Sequence, residues 1–433
     1  MSESPIFNEQ LVEAEIAGGA SSTYSEKKPV SLLFQIILSL ANTVVWLSII
    51  PIQQLLLPQQ VAAIDPVNKN STLAFIIFMS GVTAVFAQPI VGALSDRTTT
   101  RFGRRRTWIV VGLILTIVSL VLLANAHSVL ALALELAIFG FVVGMILSPV
   151  LAIIPDRVPV RQRATVSAFV GLAQPLGIVI GVILVAQIIR SVQNSYYVIA
   201  GILFVVIAIF LLTAREEPLA KEDVPHITLQ VFLTNFFRPF RSRDFVWTWI
   251  ARFLVILAQT ILLEFMLYYL TDVIHYSQLF PGQQTDQGVA IFQVINTVTL
   301  IVSTIISGIL SDKLQRRKPF IITASIIMTV ALFLIAFIHT WTIVLVVAVI
   351  FGIGFGIYLS SDIALATQVL PEAKSQGRDL GLITAANILP ELLFPVISFV
   401  AFGIFHGYTA LFSIAAIATL LGTFCILPIK SVR

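Results

Sequence analysis

With 433 residues, 58% of them hydrophobic and only 11% charged, the chain excludes an ordinary soluble domain, in which about a quarter of residues carry charge. Its formal charge of +4 and pI near 9.2 come from basic residues gathered in short stretches between apolar runs, which excludes nucleic acid as the partner they serve. A single cysteine, Cys425, excludes an internal disulfide and supplies neither a metal cluster nor a redox motif, so no cofactor is expected.

Residues 1–28 are polar and lack the basic start and apolar core of a cleaved signal peptide; they read as a flexible tail. Twelve apolar runs follow, at 32–57, 72–95, 107–125, 128–154, 165–189, 196–214, 246–273, 289–311, 319–338, 341–367, 380–404 and 408–428. Each is near the roughly 20 residues that a helix needs to cross a bilayer, and lipid leaves no other way to satisfy the backbone of a continuous apolar run. The first run carries Asn42, Gln53 and Gln54 on either side of Pro51, and 58–71, rich in Pro, Asp and Asn, reads as an external loop. Residues 215–244 are the longest polar stretch between runs, with the mixed charges of a linker, and 227–240 has the look of an interfacial helix. A second external loop is expected at 274–288.

The prediction is an all-α integral membrane protein of twelve transmembrane helices in two six-helix bundles, 29–214 and 245–433, joined by that linker. Internal repetition supports it. Gly92-Ala93-Leu94-Ser95-Asp96-Arg97 and the basic run Arg101-Phe102-Gly103-Arg104-Arg105-Arg106 return 216 positions later as Gly308-Ile309-Leu310-Ser311-Asp312-Lys313 and Arg316-Arg317-Lys318. The fourth and tenth runs both end in a charged loop that leads into a run with an interior proline, Pro175 or Pro390. Repeats of this kind mark secondary transporters, whose site lies near mid-membrane between the halves. On this topology 23 of the 26 Lys and Arg fall on one side; Lys69 and Arg190 fall on the other, and Arg252 lies inside a run. The positive-inside rule then places both termini in the cytoplasm, and the cell membrane is the expected location.

Six plus six helices with Gly-x-x-x-Asp-Arg/Lys and a basic cluster after the second and eighth resembles the major facilitator superfamily over essentially the whole chain. The long first copy, Ser95 to Arg106, is similar to that of plant sucrose carriers and their bacterial and animal relatives. Tyr268-Tyr269-Leu270-Thr271-Asp272 and Arg378-Asp379-Leu380-Gly381, near Asn387 and Pro390, are similar to bacterial members of that branch. The resemblance implies a carrier of sugars or glycosides, usually coupled to protons. It also implies an aspartate and an arginine in the fourth helix; aligned on Pro149 and Asp156, this chain has Gly140 and Leu151 there, so it departs from the plant carriers at both places.

In the signature loops, Asp96 and Asp312 sit at helix ends among Arg97, Gly103, Arg104 and Arg105, and among Lys313, Arg316 and Arg317. They are expected to latch the halves on the cytoplasmic side, with Gly92 and Gly308 permitting close helix approach. The alternative is that these charges only set topology. Ionisable residues inside spans are costly and mark function by default. Glu264 leads as a proton or solute ligand, with Glu135 and Glu391 behind it. Asp362, one turn after Tyr358, binds solute hydroxyls or pairs with Arg252. Amides suited to hydroxyls are Asn42, Gln53, Gln88, Gln174, Gln259, Gln293, Asn296 and Asn387; the alternative for each is a helix–helix hydrogen bond. Trp46, Phe86, Tyr268 and Tyr358 either stack on sugar rings or pack. No P-loop is present, so ATP hydrolysis is not expected. The expected partners are the lipid bilayer, a small polyhydroxylated solute and protons, with the carrier a monomer. The rival readings are an exporter of amphipathic compounds and a non-transporting membrane receptor.

Overall fold

The structure is a computed structural model that describes residues 29–189, 191–213, 242–314, 317–369, 386–387 and 389–428. The N-terminal tail, the linker with its expected interfacial helix, Arg190, Arg316 and Arg378 lie outside the described residues. Eleven described helices are long and apolar enough to cross a membrane. They are α1 (Leu32–Ile64), α2 (Lys69–Arg97), α3 (Arg104–Ala124), α4 (Val129–Arg157), α5 (Thr165–Ile189), α6 (Val192–Thr213), α7 (Arg243–Glu264), α8 (Thr285–Leu314), α9 (Lys318–Phe337), α10 (Trp341–Val369) and α12 (Tyr408–Ile426). The shorter apolar α11 (Leu389–Ile404) completes the expected twelve.

Several helices run past their apolar cores. The loop expected at 58–71 is mostly helix: α1 continues to Ile64, and only 65–68 separate it from α2. Pro51 does not stop α1. Proline lacks an N–H and crowds the carbonyl one turn back, and the chain accommodates it with a π-widened turn at Ile52–Leu56 immediately after it. In the stretch 274–288 there is a one-turn helix, Tyr276–Leu279, before α8 begins at Thr285. α7 ends at Glu264, bends at Phe265 and resumes as Met266–Asp272. Pro390 sits in a tight 3₁₀ turn, Leu389–Leu393, that opens α11.

The sequence repeat is repeated in packing. In the first half α4 lies against α2 and α3, and α6 against α1 and α3; in the second half α10 lies against α8 and α9, and α12 against α7 and α9. Between the halves the contacts are α5 on α8 and α2 on α11, again equivalent pairs. Alternation of the helices puts 98–103, 158–159 and residues 213, 242 and 317 on one face, the basic face. The turns 65–68, 125–128, 273–284, 338–340 and 405–407 lie on the opposite face. Outward-turned leucine, isoleucine, valine and phenylalanine side chains such as Ile114, Leu134, Ile306 and Phe399 are exposed along the helices, as lipid requires and water would not tolerate.

Candidate functional site

Towards the basic face, α7, α10 and α11 bring four sequence candidates together. Arg252 Nη1 pairs with Asp362 Oδ2, and its Nε donates to Asn387 Oδ1 at 3.1 Å. Tyr358 donates its hydroxyl to the other carboxylate oxygen of Asp362 at 2.9 Å. Arg252, Tyr358 and Asp362 are buried, while Asn387 is exposed. Of the two roles open to Asp362, pairing with Arg252 is the one realised. A charge left alone here would cost several kcal/mol, and good geometry with extra hydrogen bonds is what makes a buried pair tolerable. Asn387 accepts from Arg252 through its oxygen, so its NH2 group is left to face outward as a donor.

A second group gathers where α7 bends. Glu264 is 5% exposed, and its Oε2 has no hydrogen-bond partner. The turn carrying Glu391 packs on α7 and on α2 of the other half. The contact with α2 falls on Gly81: a Cβ there would lie 2.9 Å from Glu391 Cβ and 3.1 Å from its Oε2. Glycine at this point lets a carboxyl from one half reach the backbone of the other.

Above these groups, the opposite face is shut by bonds between halves. Lys69 Nζ meets Asp272 Oδ1 at 2.5 Å and lies 5.0 Å from the centre of the Tyr268 ring. Tyr268 donates to the Pro58 carbonyl at 2.9 Å, and Tyr408 donates to Asp272 Oδ2 at 2.7 Å while standing 3.4 Å from the Asn70 amide oxygen. Amide pairs join Gln293 to Gln54 at 2.9 Å and Gln287 to Gln187 at 3.3 Å. These bonds between the halves run from mid-membrane to the opposite face. Beside it, Asp65 closes the α1–α2 turn, accepting from the Asn68 amide at 3.1 Å and from Thr72 Oγ1 at 2.7 Å. Those bonds, from Thr72 first, hold its carboxyl below the usual carboxylate range.

The signature loop of the first half makes a different contact from the expected latch. Gly103, at φ 98°, turns the chain into α3 through a conformation that other residues rarely adopt. Arg105 is thereby buried and forks onto Asp96 Oδ1 at 2.5 Å, Asp156 Oδ2 at 2.9 Å and Ser95 Oγ at 3.1 Å. Arg104 adds Asp156 at 2.8 Å. These bonds tie α2, α3 and α4 within one half rather than joining the two. Arg97 lies at the end of α2 beside them. In the second half Asp312 and Lys313 fall in the last turn of α8, with Arg317 before α9; the side chain of Asp312 lies outside the described set.

Close approach is also not where it was expected. A Cβ on Gly92 would find Ser148 Oγ at an ordinary 3.4 Å, and one on Gly308 would find Ser360 only at 3.9 Å. The tight crossing of α2 and α4 is at Gly140, where a Cβ would lie 2.8 Å from Ser80 Oγ and 3.1 Å from the Ser80 carbonyl. That crossing has no space for the aspartate implied by the sucrose-carrier resemblance, and Leu151 is exposed.

The remaining candidates separate. Asn296 donates to the Ala348 carbonyl at 3.1 Å, a helix–helix bond between α8 and α10. Asn42 is buried with its Nδ2 unpartnered, Gln53, Gln88 and Gln259 are half-buried, and Gln174 is exposed. Glu135 is half-buried on α4 with a buried Oε2 that has no partner. Tyr268 and Tyr358 are each 1% exposed and use their hydroxyls as described, so neither ring is an open stacking surface; Phe86 is exposed and Trp46 half-buried. Sequence reasoning missed Asp156, Lys69, Asp272 and Tyr408. The one available signal was that Lys69 and Asp272 are opposite charges expected at the same face.

Two equivalent bundles, a polar middle and closure at one face define an integral membrane transporter of small solutes. The family model of the Major Facilitator Superfamily matches residues 31–303 and 284–432, and the chain belongs to that superfamily. Among solved structures it is similar to a mutant of the nucleoside transporter NupG (TM-score 0.73, 14% identity, 92% of this chain and 99% of that one). It is also similar to the D-xylose-proton symporter (TM-score 0.69, 18% identity, 93% and 98%). Compared with curated proteins by sequence, the chain has no match.

Proposed function

We propose that this transporter is a secondary active carrier that moves a small polyhydroxylated solute, a sugar or glycoside, by alternating access and draws on the proton gradient. The reading is supported by one observation above all: a set of bonds joins the halves from mid-membrane to the opposite face, above the polar groups. Such an arrangement is one end state of a rocking carrier. With the basic face in the cytoplasm, it is the state closed to the outside, in the cell membrane, with the protein acting as a monomer.

The solute class rests on the kind of group exposed. Asn387 offers a donor held in place by Arg252, and Gln53 and Gln259 add amides on α1 and α7. Groups that donate and accept match hydroxyls. The sequence likeness to sugar carriers and the structural likeness to a xylose symporter and a nucleoside transporter point the same way, since the solutes named there also carry several hydroxyls. Glu264 is the leading proton carrier, being buried and unpartnered on one oxygen.

The test is uptake into proteoliposomes under an imposed pH gradient, acid outside, with a panel of labelled monosaccharides, disaccharides and nucleosides. Uphill accumulation of at least one, lost in Glu264→Gln while downhill exchange survives, is the expected result. Absence of accumulation across the whole panel removes the solute class. Retention of uphill transport by Glu264→Gln moves the proton to another group.

A further inference from the structure

One cation lies inside the membrane, and it is spent. Within the twelve apolar runs Arg252 is the only Lys, Arg or His, against five acids, Glu135, Glu264, Asp272, Asp362 and Glu391. At the opposite face Lys69 is likewise tied to Asp272.

The bonds around Arg252 turn its charge away from the surface. Nη1 meets Asp362 Oδ2 and Nε meets Asn387 Oδ1, while Tyr358, one turn before Asp362 on α10, holds the other carboxylate oxygen at 2.9 Å. Arg252, Tyr358 and Asp362 are buried, and of the four only Asn387 is exposed. The cluster therefore presents a neutral amide outward, with the guanidinium behind it held by a carboxylate.

Stability alone does not call for this arrangement, since apolar residues of similar volume often serve as well as a buried ion pair. Selection among solutes does. An anion entering a low-dielectric site must replace its lost hydration, and a guanidinium is the side chain that matches carboxylate or phosphate with paired N–H donors.

We propose that Asp362 is a specificity-determining residue. By occupying Arg252 it denies anionic solutes, such as uronates and sugar phosphates, the one guanidinium that could receive them, and it leaves Asn387 to meet uncharged hydroxyls. Tyr358 positions Asp362 for this task. The other interior carboxyls act in the same sense, because like charges repel strongly where the dielectric is low. The inference rests on the carrier reading above and adds how that site tells a neutral solute from its acidic analogue.

The full chain in lipid nanodiscs is titrated at neutral pH with labelled pairs matched in shape: glucose with glucuronate, galactose with galacturonate, and uridine with uridine monophosphate. Wild type should bind the neutral member of at least one pair and, at the same concentration, no anion. Asp362→Asn keeps an acceptor for Tyr358 and Arg252 but removes the charge. It should gain affinity for the anion of at least one pair by about tenfold or more, the step that one charge-assisted hydrogen bond supplies. Asp362→Ser reaches the same charge state with a smaller side chain and serves if Asp362→Asn does not fold. Arg252→Met combined with Asp362→Asn has no guanidinium to unmask and should gain nothing.

A wild-type protein that binds anion and neutral partner alike overturns the proposal, as does a folded Asp362→Asn or Asp362→Ser protein whose preference is unchanged. A gain that persists in the double variant also overturns it, because relief of repulsion rather than Arg252 would be the cause. The two readings fail separately. If wild type binds no neutral member of any pair, the solute class falls, while an anion gained through Arg252 in Asp362→Asn still sustains the masking role.

Discussion

Asp362→Ala is the most demanding single change to the cluster of Arg252, Tyr358, Asp362 and Asn387. Asp362 is 2% exposed and Arg252 8% exposed, so the guanidinium cannot turn to water without leaving the helix interface. Stripping one partner from a buried ion pair costs about 3–5 kcal/mol, because the other charge stays buried and unpaired. Tyr358 also loses its acceptor, which adds about 1–3 kcal/mol for a buried hydroxyl. Asn387 keeps its bond to Arg252 Nε and offsets little, since it carries no charge. The double change Arg252→Met with Asp362→Leu keeps volume and removes both charges, and such replacements are often neutral. Equilibrium unfolding in mixed micelles should therefore show a loss of about 4–8 kcal/mol for the single variant and only about 1–3 kcal/mol for the double, in which the Tyr358 hydroxyl is orphaned but no charge is. Equal losses in the two variants would refute the account, because the cost would then follow from volume rather than from an orphaned charge.

Other changes test the remaining contacts. Arg105→Lys keeps the charge but cannot reach Asp96, Asp156 and Ser95 at once; it should destabilise the first half by about 1–3 kcal/mol per charge-assisted bond lost, read by the same unfolding measurement. Lys69→Met should weaken closure of the opposite face, seen as a longer distance between labels at positions 67 and 279, with little change in stability since the pair is partly exposed. Gly140→Asp should fold poorly, because its Cβ meets Ser80 at 2.8 Å; overpacking of about 1–3 kcal/mol is joined by a buried charge, and yield and melting temperature report it. Asp65 has a depressed folded pKa, so its turn is fully braced above the ordinary value of 3.8 and loosens as pH falls through the folded value. Hydrogen exchange at the Asn68 amide, corrected for its intrinsic rate, should lose protection in Asp65→Ala at neutral pH as wild type does in acid.

Much of this protein was readable before any coordinates. Hydropathy alone marks the spans because a lipid-facing helix must be apolar over a length set by the bilayer, and the doubled Gly-x-x-x-Asp motif at half-chain spacing carries the two-bundle organisation. The buried ionic candidates were also visible, since a charge inside an apolar run is rare enough to signal a role. Arg252, Asp362, Tyr358 and Asn387 do converge, although no pattern in the chain says that residues 110 and 135 positions from Arg252 lie beside it.

What the tertiary structure alone decided are partners and sides of helices. Sequence could not choose between Gln53 and Gln54, because consecutive helical residues point about 100° apart and only packing says which one reaches Gln293. It looked to the signature loops for contacts between the halves, whereas Lys69, Asp272, Tyr268 and the amide pairs carry bonds across the seam, and in the first-half loop Arg105 ties α2, α3 and α4 together. It assigned close approach to Gly92 and Gly308, when the crossings fall at Gly140 and Gly81. Apolar periodicity is a property of one helix facing its solvent; a hydrogen bond or a glycine crossing is a property of two helices and of the angle at which they meet.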